Sequence, residues 1–221
     1  IRPHVRLFSS TMIDDLAGSA WRRYAPDVVG LTLPFPGTVY GAFRIARRIK
    51  QLSPRTPVIL GGGYVSTELR TLSEPRVFDY ADYVVLDDGE LPLLRLLAHL
   101  GGAGGPLCRT WARRGRRAAW LDSDAPDPPH AAAPAPDFTG LPLDRYFAMA
   151  EMLNPMHRVW SSARWNKLML AHGCYRRRCR FCDTSLDYVR RYSPAPAPAL
   201  ADRIEAVIAQ TGQTGFHFID E

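Results

Sequence analysis

Four cysteines in 221 residues are too few for a disulfide scaffold, and three of them crowd into one short stretch. That excludes a small stapled secreted domain and points to a reducing, cytoplasmic setting with thiols free for metal. No apolar run approaches the roughly 20 residues a bilayer-crossing helix needs, so no membrane partner is expected. Ile1-Arg2-Pro3-His4 lacks a charged region followed by an apolar one, which excludes a secretory signal peptide. The chain opens on Ile rather than Met and reads as a piece of a longer protein. Lysine is almost missing: Lys50 and Lys167 are the only two among 28 basic residues, and the other 26 are arginines. Arginine written for lysine by a GC-rich genome accounts for that bias. The arginines are scattered, apart from Arg176, Arg177, Arg178 and Arg180, so no nucleic-acid partner is expected despite a net charge of +6. With 46% hydrophobic and 23% charged residues, the composition is that of an ordinary soluble globular protein.

Apolar runs and turn signals alternate from residue 5 to 100. Val28 to Leu33 reads as a buried strand ended by Pro34-Phe35-Pro36-Gly37. Residues 39 to 52 carry an apolar stripe of Ala42, Ile45, Ala46, Ile49 and Leu52 at helical spacing. Pro57 to Leu60 is the next strand and stops at Gly61-Gly62-Gly63, with Ser66 or Thr67 expected to cap a following helix. Tyr83 to Leu86 is a third strand ending in Asp87-Asp88-Gly89-Glu90, and Leu91 to Leu100 a further helix. This alternation predicts an α/β unit: an open parallel sheet, Rossmann-like, with helices on both faces and ligands beyond the carboxyl ends of the strands. Residues 107 to 121 predict a hairpin turning at Gly115, which completes a first domain of residues 1–121. Cys108 within it reads as a small buried hydrophobe.

An Asp/Ala/Pro-rich linker is expected over 122–140. A second domain, 141–221, holds a strand at 167–171, a helix at 199–210 stopped by Gly212, and a strand at 215–219 ending in Asp220-Glu221. That is one βαβ unit, the truncated start of something larger. His157 lies just before it, as a lone histidine that could line a site.

The richest stretch is His172-Gly173-Cys174-Tyr175-Arg176-Arg177-Arg178-Cys179-Arg180-Phe181-Cys182-Asp183. Its C-x4-C-x2-C spacing follows an apolar strand and allows three readings. Structural zinc needs four protein ligands, and only three cysteines are local. A plant-type [2Fe–2S] centre fits the local spacing, yet no fourth cysteine occurs downstream. A [4Fe–4S] cluster with one open iron needs only three thiolates, and the neighbouring arginines offset its negative charge.

On these residues the chain resembles the radical S-adenosylmethionine enzymes, which carry C-x3-C-x2-C after the first strand of a partial (βα)6 barrel. The form here is similar to a subgroup with a first spacing of four. The resemblance implies that Cys174, Cys179 and Cys182 ligate a [4Fe–4S] cluster, that S-adenosylmethionine chelates the open iron, and that Phe181 lies near its adenine. Asp220 or Glu221 stands where the family holds the methionine amino group, without the usual glycines. The implied chemistry is reductive cleavage of S-adenosylmethionine to a 5′-deoxyadenosyl radical, with a reductase or flavodoxin-like protein as electron donor. The upstream order from Pro26 to Glu90 is similar to the cobalamin-binding domain of one large class in that family. By that resemblance Thr32, Gly61, Gly62, Gly63 and Tyr64 contact cobalamin, which would allow methyl transfer to an unactivated carbon of a small-molecule or peptide substrate. No D-x-H-x-x-G marks a lower cobalt ligand. The competing expectation is a non-enzymatic binding or electron-transfer module, stabilised by zinc or a [2Fe–2S] centre, with Arg176 to Arg180 as a basic loop.

Overall fold

The computed structural model describes residues 8–147, 151, 153, 154, 156, 159, 164–180 and 182–220. It divides into two compact units, Ile1–Asp127 and Pro128–Glu221. Among the described residues no helix is long and apolar enough to cross a membrane.

The first unit runs α1 (Phe8–Tyr24), β1 (Val29–Thr32), α2 (Pro36–Leu52), β2 (Val58–Gly61), α3 (Gly63–Glu68), a 3₁₀ turn (Pro75–Asp79), β3 (Tyr83–Val85), α4 (Glu90–Leu100), β4 (Thr110–Arg114) and β5 (Arg117–Leu121). The strands form one sheet in the order β1-β2-β3-β4-β5. The first three are parallel, whereas β4 pairs antiparallel with β3 and with β5. The sheet is therefore mixed, which corrects the expectation of a parallel one. After α4 the chain returns to the carboxyl end of β3, where the Leu86 N–H donates to the Arg109 carbonyl at 2.9 Å. From there β4 can pair with β3 only antiparallel.

Side chains alternate between the two faces as strand geometry requires. Val58, Leu60, Val84 and Leu86 pack with Ala42, Ala46 and Ile49 of α2 and Val65 of α3. Ile59 and Val85 point the other way, onto Leu96 of α4 and Leu107. Helices thus cover both faces, and Leu60, fully buried, contributes about 1.5–3 kcal/mol by its removal from water.

Two local details differ from the sequence reading. Gly62, not Ser66 or Thr67, precedes the first turn of α3; Ser66 lies inside the helix, buried, and its Oγ accepts the Asp87 N–H at 2.8 Å. The helix α1 has no strong apolar stripe, because the buried positions on its inner face are the small residues Ser10, Ala17 and Gly18.

The second unit contains 3₁₀ turns at His130–Ala132 and Leu143–Arg145, then β6 (Trp165–His172), a helical turn (Asp187–Arg190), β7 (Ser193–Pro194), α5 (Ala197–Thr211) and β8 (Gly215–Asp220). Its sheet order is β7-β6-β8, with β6 and β8 parallel. The helix α5 carries a proline in its first turn and ends at Gly212, whose φ of 67° is the left-handed stop that glycine provides. It buries Val207 completely, and Leu168 and Ala171 of β6 are buried as well. β6–α5–β8 is the expected βαβ unit.

The Pro/Ala-rich stretch from Asp122 onward is fastened on both sides of the Asp127/Pro128 division. In the first unit, Arg95 donates to Ser123 Oγ at 2.7 Å and Arg109 to the Ala125 carbonyl at 3.0 Å. In the second, buried Arg203 donates to the carbonyls of His130 (2.7 Å), Ala131 (3.1 Å) and Ala133 (2.7 Å). A proline-rich chain forms no ladder of its own, so its carbonyls stay open to side-chain donors.

Candidate functional site

The cysteine loop begins where β6 ends. Its neck is closed three ways. His172 and Ala171 pair with Ser193 and Pro194 of β7. His172 Nε2 lies 2.9 Å from the Tyr188 carbonyl, with the two rings 5.2 Å apart. Gly173 takes a φ of 73°, and a Cβ there would overlap the Arg191 carbonyl. Residues 173 to 191 therefore leave and re-enter the fold at one point.

Within that loop the thiols are not consumed by packing. Cys174 is half-buried, Cys179 and Cys182 are exposed, and none forms a disulfide. Arg177 adopts a left-handed φ of 51°, and its Nε donates to the Cys174 carbonyl at 3.3 Å. This bends the four-residue spacer between the first two cysteines. After Cys182, Asp183 accepts the Ser185 hydroxyl at 2.5 Å and the Ser185 N–H at 3.1 Å. Those hydrogen bonds, the hydroxyl's first, hold the Asp183 carboxyl below the usual range. Arg176, Arg177, Arg178 and Arg180 are all exposed.

The donor chemistry suits an iron–sulfur cluster: three thiols on one loop, beside cations that would balance a thiolate-rich centre. Among the described residues no three His, Cys, Asp or Glu side chains already converge as a metal site. Asp220 ends β8 in register with Ala171 of β6. The cysteine loop and Asp220 therefore leave the carboxyl ends of two adjacent parallel strands. Phe181, Glu221 and His157 lie outside the described residues.

In the first unit Thr32, Gly61, Gly62, Gly63 and Tyr64 come together at the carboxyl ends of β1 and β2. Thr32 is in register with Gly61, the Leu33 N–H donates to the Gly61 carbonyl at 2.7 Å, and the Tyr64 N–H donates to the Leu33 carbonyl at 3.0 Å. Gly62 has a φ of 105°, and a Cβ on it would sit 2.9 Å from the Leu33 carbonyl oxygen. The nearest groups to a Cβ on Gly61 or Gly63 are also backbone, at 3.7 Å from Val85 O and 3.5 Å from Pro34 O. The glycines are accounted for by the close approach of this turn to β1, not by an open cradle for a corrin ring. They do not show a fit to cobalamin, and no chemistry is assigned to it. Cys108 is fully buried, and burial pushes its thiol above the ordinary range against the pull of Arg109 and Arg95.

A buried ionic chain at the end of β3 is invisible in the sequence order. Asp87 pairs with Arg70, and Arg109 pairs with Asp127 and lies 3.9 Å from Asp87. Asp87 and Arg109 both take left-handed φ values, 65° and 41°. Burial pushes the Asp87 carboxyl upward, opposed by Arg70 and Arg109. The only sequence hint was Asp87-Asp88-Gly89 at a strand end. Arg203 and His130, 73 residues apart, gave no hint at all.

No protein-family model matches this chain, and no curated protein matches it.

Proposed function

We propose that this chain carries the cluster-binding part of a radical S-adenosylmethionine enzyme. The observation that supports the reading is the placement of Cys174, Cys179 and Cys182. They lie on a loop closed at its neck, at the carboxyl end of β6, beside the end of its parallel neighbour β8. Ligands of parallel α/β sheets bind at such strand ends.

In this reading the three cysteines hold a [4Fe–4S] cluster. When bound, that cluster supplies the electron for reductive cleavage of S-adenosylmethionine into methionine and a 5′-deoxyadenosyl radical. The chain's own residues bind and orient. Asp220 and Glu221, at the end of β8, are offered to the methionine amino group, and Phe181 to the adenine. Arg176, Arg177, Arg178 and Arg180 offset the charge of the thiolates and present a basic face to an acidic electron donor, of reductase or flavodoxin type. For cobalamin the proposal reaches only as far as a location, the strand ends at Thr32, Gly61 to Gly63 and Tyr64. Equilibrium dialysis with hydroxocobalamin tests it, and with it the methyl-transfer outcome.

The deciding experiment is anaerobic reconstitution with iron and sulfide. Iron and sulfide are expected in equal amounts, with an EPR signal on reduction and 5′-deoxyadenosine after addition of S-adenosylmethionine. Zinc at one per chain with no iron would overturn the enzyme reading in favour of a metal-stabilised module. Iron retained by the C174A/C179A/C182A variant would overturn the ligand assignment.

A further inference from the structure

The β4–β5 hairpin gathers charge in a way its sequence neighbourhood conceals. Arg113, Arg114, Arg116 and Arg117 surround Gly115, which takes a left-handed φ of 61° and lets the chain reverse within two residues. All four arginines are exposed. Arg113 is used by the fold: its guanidinium donates to Asp79 and to the Pro75 carbonyl, each at 2.6 Å, which ties the hairpin to the 3₁₀ turn. Among the described residues nothing engages Arg114, Arg116 or Arg117.

Arg114 and Arg117 are directly opposite partners across the two strands. Like charges in that relation, with Cβ atoms about 5 Å apart, destabilise a hairpin, and Arg116 in the turn adds a third. The fold gains nothing from this arrangement, so an external anion must relieve it. Further along the same ribbon Trp120 is 39% exposed, its ring 5.1 Å from that of Trp111.

We propose that the tip of this hairpin binds a single strand of nucleic acid. Three guanidinium forks on a two-stranded ribbon match successive phosphates, and a half-exposed indole beside them offers a face for a base. A lipid surface fits less well, because the residues between the arginines and Trp120 are Ala118 and Ala119, too small to anchor in acyl chains. The expectation from scattered arginines missed this, because the clustering arises from strand pairing.

The test is fluorescence anisotropy of a short labelled single strand, RNA and DNA in turn, with the full chain over a series of KCl concentrations. Binding is expected, with affinity falling linearly on a log–log plot. R114A/R116A/R117A should lower that slope by about 2, since each phosphate contact on a single strand contributes about 0.7. R114K/R116K/R117K should keep the slope but bind several-fold more weakly. All variants are at exposed positions, and unchanged circular dichroism confirms their fold. No binding at low salt overturns the proposal, as does a slope that R114A/R116A/R117A leaves intact while R176A/R178A/R180A abolishes it. Competition by phosphatidylserine vesicles with the same arginine dependence overturns it in favour of a membrane surface.

Discussion

Two strand-end loops, after β2 and after β6, start alike and finish differently. Each leaves the carboxyl end of a parallel strand through a glycine with positive φ, Gly62 at 105° and Gly173 at 73°. In each a Cβ would meet backbone, that of Leu33 or of Arg191. Beyond Gly62 the polar groups are spent within the unit: Tyr64 N–H on Leu33, Ser66 Oγ on Asp87, Asp87 on Arg70. Beyond Gly173 the cysteines and arginines face outward. Glycine marks a close backbone approach in both cases. Chemistry left over after the fold is satisfied marks the candidate site in only one.

The comparison can be broken most severely at its glycines. Gly173→Ala places a Cβ on the Arg191 carbonyl in a left-handed residue and should cost about 3 kcal/mol or more, with loss of iron uptake on reconstitution. Gly62→Ala, with closest approaches of 2.9–3.0 Å, should cost about 2 kcal/mol. Its iron uptake should be unchanged once the protein is folded. Guanidinium denaturation and iron analysis of both variants decide whether the two turns are structural equals with different cargo. Equal loss of iron in both would show that the first turn is not merely structural.

A smaller effect separates the thiols. Cys108 is buried with its thiol pushed upward, whereas Cys179 and Cys182 are exposed. Iodoacetamide at about pH 8 should label the two exposed cysteines at least roughly tenfold faster than Cys108, read by peptide mass spectrometry. Comparable labelling would mean that the first unit opens readily.

The smallest effect concerns two exposed acids held by their own turns, one in each unit. Glu74 caps the Pro75–Asp79 turn, and hydrogen bonds from Arg76, the side chain's first, push its carboxyl down to about 2. Asp183, after the last cysteine, is likewise held low by Ser185. A lowered carboxylate stabilises its turn above its ordinary range and loses that contribution as pH falls through the folded value. Carbon-detected NMR titration should show Glu74 with a midpoint near about 2 and Asp183 below an ordinary aspartate. An ordinary Asp183 midpoint would mean that the turn after Cys182 does not hold in solution.

Much of this architecture was legible in one dimension. Val58-Ile59-Leu60 and Tyr83-Val84-Val85 are short β-branched or aromatic runs bounded by turn residues, and they are strands. The stripe Ala42, Ala46, Ile49 is the buried face of α2. C-x4-C-x2-C named the candidate site from spacing. The helix α1 was illegible because its buried side chains are small, and the antiparallel entry of β4 because it depends on where a loop returns.

Local order in the chain thus specified periodicity, turn chemistry and the three thiols, since each depends on residues a few positions apart. The fold assigned the partners. It set Arg114 against Arg117, Arg109 between Asp87 and Asp127, and Arg203 under the carbonyls of His130 to Ala133. Such pairings join residues from three to 73 positions apart, and electrostatics and hydrogen bonding act through distance in space, to which sequence separation is no guide.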